Sequence, residues 1–152
     1  MLIFLQDLFN ESPWNNVLHT AYERLITVVL DKADPTLLKS LFEKAKFLDI
    51  IIEAGQNPDH ELPKRGRKVR KGYMGHIIRI SNELLRYGNI EENIDRYLKA
   101  NTQWSQFVNT TLKKQNEVNN TEIGGYNPRN FVAVPSMESS FGVHFVRIVD
   151  EE

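Results

Sequence analysis

Apolar side chains return every three or four residues through most of the first 118 positions, the repeat of helices that each bury one face. No other feature limits the possible folds as strongly. Ser12-Pro13 pairs an N-cap hydroxyl with a proline suited to the first helical position, and Val17, Leu18, Ala21, Tyr22, Leu25, Val28 and Val29 follow as one stripe. Asp34-Pro35 repeats the start signal. Leu37, Leu38, Leu41, Phe42, Ala45, Leu48, Ile51 and Ile52 then mark a second helix, with Gly55 as a natural terminator. The short link between the two predicts an antiparallel pair.

Residues 56–71 interrupt the pattern with Asn57-Pro58, Pro63 and Gly66, which predicts a long exposed loop. Ile77, Ile80, Leu84 and Tyr87 predict a third helix ending at Gly88. Asn89 is the expected cap of a short helix with Glu91 and Glu92 in its first turn and Ile90, Ile94, Tyr97 and Leu98 on its apolar side. Asn101 is the expected cap of a further helix carrying Trp104, Phe107, Val108 and Leu112. Beyond residue 119 the periodicity is lost at Gly124-Gly125 and Asn127-Pro128, and only two short β-like runs remain, Phe131–Val134 and Val143–Val149. A lone hairpin is marginal in water, so residues 119–152 are expected to be an irregular, mobile tail. The expected fold is all-α. Antiparallel helix pairs of about 40 residues would form a HEAT- or armadillo-like partial α-solenoid over residues 1–118, with the irregular tail after it.

Composition narrows the function classes. Lys+Arg total 19 against 20 for Asp+Glu, so the chain as a whole is no polyanion binder. There is no Cys, which excludes a disulfide scaffold, thiolate zinc and a cysteine nucleophile, and suits a reducing, cytoplasmic or nuclear setting. No run approaches the ~18 apolar residues of a membrane span, and the opening MLIFLQDLFN lacks the basic region of a signal peptide. The three Asn-x-Ser/Thr triplets at Asn10, Asn109 and Asn119 are then read as chance.

No catalytic constellation can be assembled. The four histidines, His19, His60, His76 and His144, are scattered, without an HExxH pair. Neither a phosphate-binding G-x-x-x-x-G-K-S/T loop nor a G-x-S-x-G elbow is present. Glu91 and Glu92 are adjacent, so on a helix they point apart and read as first-turn charges. His76 reads as a capping or packing residue, His19 as part of a buried or half-buried polar network, and Trp14 and Trp104 as core or inter-repeat packing residues on apolar stripes. No enzyme, cofactor, metal or small-molecule substrate is expected.

The sharpest local feature is basic. Lys64, Arg65, Arg67, Lys68, Arg70 and Lys71 fill six of eight positions. Such a run is most simply a solvated loop or one that docks on an acidic protein surface. Nuclear import or nucleic-acid binding is the alternative. Pro63-Lys64-Arg65-Gly66-Arg67 resembles the start of an AT-hook, but Lys68 stands where that motif has a proline.

Two longer stretches carry a resemblance. Leu8-Phe9, then Pro13-Trp14-Asn15-Asn16-Val17-Leu18-His19, is similar to the F-x-x-x-x-W-N-N-x-L-H segment of the SAPS domain, which defines regulatory subunits of the protein phosphatase 6 type. Gly72-Tyr73-Met74-Gly75-His76-Ile77-Ile78-Arg79-Ile80-Ser81-Asn82 resembles that domain's G-Y-M-G-H-L-x-R-I-A/S-N motif. The basic run before Gly72, the Asn101-Thr102-Gln103-Trp104 helix start, Gln115-Asn116-Glu117 and Gly124-Gly125 follow in matching order, so the likeness covers about residues 4–125. It corresponds to the C-terminal part of the helical domain. The resemblance implies a HEAT- or armadillo-like fold and a non-catalytic protein that binds a serine/threonine phosphatase catalytic subunit and modulates or targets it. The candidate partner-binding residues under this resemblance are Trp14, Asn15, Asn16, His19, Tyr73, Met74, His76 and Arg79, with Asn15, Asn16 and His76 also expected to organise helix starts.

Overall fold

A computed structural model describes residues 2–61 and 68–121. Lys64, Arg65, Arg67 and the β-like runs expected after residue 130 lie outside the described residues. The described chain is all-α apart from one small hairpin. Its helices are α1 (Leu2–Glu11), α2 (Asn16–Lys32), α3 (Pro35–Lys39), α4 (Phe47–Gln56), α5 (Met74–Gly88), α6 (Glu92–Ala100), α7 (Thr102–Phe107) and α8 (Lys113–Asn120). Strands β1 (Asp59–Glu61) and β2 (Lys68–Arg70) pair antiparallel. Residues 59–61 and 68–70 of the expected loop are therefore a ladder, with Asp59 opposite Arg70 and Glu61 opposite Lys68, so that opposite charges face across it.

Two helix starts follow from local chemistry. Asp34 Oδ1 accepts from the Thr36 and Leu37 amides, and Pro35 sits where its missing N–H costs nothing. Asn101 Oδ1 accepts from the Gln103 and Trp104 amides in the same way.

Other boundaries differ from expectation. Ser12-Pro13 does not open α2. The chain turns there, and Asn15 is the cap, its Oδ1 accepting from the Leu18 amide. The stretch 37–52 is not one helix. After α3 it widens into a π turn over Ser40–Lys44, closed by the Ala45 amide on the Ser40 carbonyl, and Lys46 at φ 49° breaks it before α4. Gly55 lies inside α4, where a Cβ would run into Phe107 Cε2, so this glycine admits the ring rather than ending the helix. Asn89 closes α5, and Glu91, not Asn89, precedes α6, which leaves Ile90 exposed.

The described residues up to Asn116 form one compact unit. Leu30, Leu41, Leu84 and Ile94 are wholly inaccessible at its centre, with Phe9, Ile26, Leu38, Phe47, Ile51, Ile52, Ile77, Ile80, Phe107 and Leu112 packed around them. Each such aliphatic side chain contributes about 1.5–3 kcal/mol by leaving water. Helix α5 lies at the middle, in contact with α2, α4 and α6. Successive bonds from α2 to α5, Asn16 to His76, Glu23 to Arg79 and Asp31 to Tyr87, rise together in number, so these two helices run parallel. That arrangement carries the site. Of the second unit, only Glu117–Thr121 is described, where the Thr121 hydroxyl donates to the Glu117 carbonyl.

Candidate functional site

The turn between α1 and α2 is set by backbone bonds: the Ser12 amide to the Leu8 carbonyl and the Asn15 amide to the Ser12 carbonyl. It brings Pro13 and Trp14 against Gly72, just ahead of α5. A Cβ on Gly72 would lie 2.6 Å from the Pro13 carbonyl oxygen and 3.1 Å from Trp14 Cε3, so only glycine permits this approach. Tyr73 follows, and the His76 and Ile77 amides on its carbonyl start α5.

Asn15 caps α2, which leaves the Asn16 side chain for another task. Asn16, His19 and Glu23 recur at i, i+3 and i+7, one face of α2, and that face meets His76 and Arg79 on α5. His76 Nε2 lies 2.8 Å from Asn16 Oδ1, and Nδ1 lies 2.6 Å from Glu23 Oε2 and 2.8 Å from Arg79 Nη2. Arg79 donates through Nε to Glu23 Oε1 and through Nη2 to Glu23 Oε2, each at 2.7 Å, a bidentate clamp. Glu23 thus takes three charge-assisted bonds. Burial pushes its carboxyl up, but the bonds from Arg79 and His76 outweigh burial and hold it below the usual range. The Arg79 guanidinium is shifted up by the same bonds.

Behind this polar layer is an aromatic one. Phe9 packs against His19, Tyr22 and Tyr73 with ring centroids 4.6, 4.9 and 4.9 Å away. His19 stands edge-on to Tyr73 and donates through Nε2 to the Phe9 carbonyl at 3.2 Å. Burial lowers the basicity of His19. Gln6 is buried as well; its amide donates to the Ala45 carbonyl and its oxygen accepts from the Tyr22 hydroxyl. No buried side-chain polar atom is left without a partner among the described residues.

The chain was compared with known proteins. Residues 2–121 match the family model described as SIT4 phosphatase-associated protein, SAPS. The chain belongs to the SAPS family. Among curated proteins it is 28% identical over 141 residues to serine/threonine-protein phosphatase 6 regulatory subunit 3 of Gallus gallus, covering 77% of this chain and 16% of the relative. It is 28% identical over 131 residues to extragenic suppressor of kinetochore protein 1 of Schizosaccharomyces pombe, covering 80% and 16%. The SIT4-associating protein SAP190 of Saccharomyces cerevisiae matches at 28% over 142 residues, covering 83% and 13%. The chain therefore spans about a sixth of the length of such relatives. No solved structure matches.

In this SAPS chain the two sequence motifs meet in space. Of the eight candidate residues, His19, Tyr73, Met74 and His76 are buried and face the interior. Trp14, Asn15 and Asn16 are exposed, and the Arg79 side chain is 57% exposed. Trp14 is not the core residue that its stripe predicts; it lies 53% exposed in the turn because its ring packs on Gly72 rather than inward. Of the basic run, Lys68 and Arg70 are exposed, Lys71 is half-buried with its Nζ 5.9 Å from the Tyr73 ring, and Arg70 Nη2 donates to Gln115 Oε1 at 2.7 Å. Glu23 is the site residue that motif reading misses. Its available signal is the spacing Asn16, His19, Glu23, a polar line on a helix whose other residues include two apolar stripes. Among the described residues no group of three His, Cys, Asp or Glu could hold a metal ion, and no helix is long and apolar enough to cross a membrane.

Proposed function

We propose that this chain is a non-catalytic regulatory segment that binds a serine/threonine phosphatase catalytic subunit of the protein phosphatase 6 type and directs its activity. Family membership and the names of the relatives support the partner class. The observation that carries the reading is the convergence of both motifs. Their buried members, His19, Tyr73 and His76, together with Glu23, rigidify a base from which Trp14, Asn16 and Arg79 reach solvent. Exposed Trp and Arg on a fixed support are the usual anchors of a protein interface. The chemistry of the cluster favours binding: its carboxylate and the Arg79 guanidinium neutralise one another.

The test is co-elution or calorimetry of the purified chain with such a catalytic subunit. Micromolar or tighter binding is expected, together with loss of binding in Arg79→Glu and retention of its helical circular dichroism. A folded chain that does not bind overturns the proposal.

A further inference from the structure

Strand β2 pairs on one side only. Its sheet has two strands, and the register sets Asp59 opposite Arg70, His60 opposite Val69 and Glu61 opposite Lys68. Just beyond the ladder the Lys71 amide donates to the Pro58 carbonyl at 2.8 Å. Hydrogen-bonded and non-hydrogen-bonded pairs alternate along an antiparallel ladder. The next bonded pair is therefore His60 with Val69, and the main-chain N–H and C=O groups of Lys68 and Arg70 turn away from β1. Among the described residues those outward groups have no backbone partner. An open edge of this kind is a template for a further strand.

The charge at that edge is positive. Lys68 and Arg70 are exposed and stand two residues apart, so they share one face of the sheet. Among the described residues neither is in an ion pair, and Arg70 Nη2 bonds a neutral group, Gln115 Oε1. The carboxylates of Asp59 and Glu61 belong to β1, on the opposite side of β2 from the open edge. Lys71 is no part of the edge: its ammonium turns to the Tyr73 ring and it shares a hollow with Glu11 and Glu53. Over residues 59–71 six cations stand against two carboxylates.

Strand β1 shows what β2 accepts as a neighbour. Its sequence, Asp59-His60-Glu61, sets a carboxylate opposite each cation. Pairing of β2 with β2 of a second copy would set Lys68 against Arg70, and like charges directly opposite one another are destabilising. A nucleic acid brings negative charge but no amide groups to extend the ladder, and β1 and β2 hold no Phe, Tyr or Trp for its bases to stack on.

We infer that the open edge of β2 takes up an extended acidic segment of a partner protein as a third strand. The main-chain groups of Lys68 and Arg70 bond its backbone, and carboxylates at alternate positions of the segment face their side chains. The inference goes beyond the function proposed above and does not depend on it.

The experiment titrates the full chain against labelled probes and reads fluorescence anisotropy. The first probe is a short peptide alternating Glu and Val. The second is the same peptide methylated on the glutamate amide nitrogens, which keeps the charge and removes the donors. The third is a single-stranded oligonucleotide. The first peptide should bind, and more weakly as salt rises. Its affinity should fall about tenfold or more on N-methylation, and by a similar factor for a chain carrying Lys68→Glu with Arg70→Glu. Arg24→Glu with Lys39→Glu, which reverses exposed cations on α2 and α3, should leave affinity within about twofold. Helical circular dichroism should be retained in both variants. No binding of the first peptide by the folded, unaltered chain overturns the inference. Equal binding of the N-methylated peptide overturns the third strand and leaves charge alone. Oligonucleotide binding as tight as that of the first peptide, and lost in Lys68→Glu with Arg70→Glu, overturns a protein partner in favour of nucleic acid. Self-association in sedimentation that disappears in the same variant overturns it in favour of a second copy of the chain.

Discussion

His76 Nδ1 lies 2.6 Å from Glu23 Oε2, across 53 residues of sequence, and that pair ties the second signature motif of the chain to α2. Arg79 closes the same carboxylate from the other side at 2.7 Å. The arrangement makes Glu23, which belongs to neither motif, the centre of the site.

Glu23→Gln should therefore cost about 1–3 kcal/mol of stability, since Arg79 and His76 lose their charged acceptor in a half-buried place. Arg79→Gln should cost less, because more than half of that side chain is in water. Urea unfolding of the two single variants and the double variant measures their coupling. A double variant equal to the sum of the singles would show that the clamp contributes nothing as a unit.

Gly72→Ala should be destabilising by about 1–3 kcal/mol, because its Cβ would meet the backbone carbonyl of Pro13 at 2.6 Å and that group cannot turn aside as a side chain could. Trp14 must move with the turn. Its emission, separated from that of Trp104 by a Trp104→Phe background, should shift to longer wavelength. An unchanged spectrum and unchanged stability would contradict the packing described.

Ile26→Ala and Val28→Ala separate the two faces of α2. Ile26 is 1% exposed and should cost about 2–5 kcal/mol on truncation. Val28 is 52% exposed and should change stability by no more than about 0.5 kcal/mol. Denaturant midpoints for both variants check the assignment.

This face is where the sequence was least legible. A stripe through Val17, Ala21 and Val28 is regular, yet Val17 is 81% exposed and the inward side is His19, Tyr22, Ile26, Val29 and Leu30. The inward stripe is broken by His19 and Glu23, polar groups that belong inside only because partners on α1 and α5 satisfy them. Local pattern cannot show a partner 53 residues away. By contrast the inward face of α5 was readable, since Ile77, Ile80, Leu84 and Tyr87 need no distant partner to be recognised as apolar. Asp34 and Asn101 were readable because a cap bonds amides only two or three residues ahead. The break at Lys46 carried no signal, as a lysine at φ 49° has no local reason to be there.

Acid should loosen the unit in two stages. Burial lowers the basicity of His19 from its ordinary 6.5, so the unfolded chain takes up that proton first and stability, full above pH 6.5, falls as pH drops below it. Glu23 is held below its ordinary 4.5 by Arg79 and His76 in spite of burial, so its contribution is present above pH 4.5 and is lost as pH falls further. Melting points from roughly pH 8 to roughly pH 3 should show both declines, and His19→Gln should flatten the first alone. A first decline that persists in His19→Gln would assign it to another group.

The parallel run of α2 and α5 also sets an order in time. Contacts at so long a separation close slowly, because the chain between them must be gathered first. During synthesis Asn16 emerges 60 residues ahead of His76, and Glu23 emerges 56 residues ahead of Arg79. Throughout that interval the nascent chain holds an unneutralised carboxylate on the inward side of α2, beside Tyr22 and Ile26, with neither Arg79 nor His76 yet made. Growth of the polypeptide to residue 79 is therefore the earliest moment at which the two halves of this cluster can exist as one.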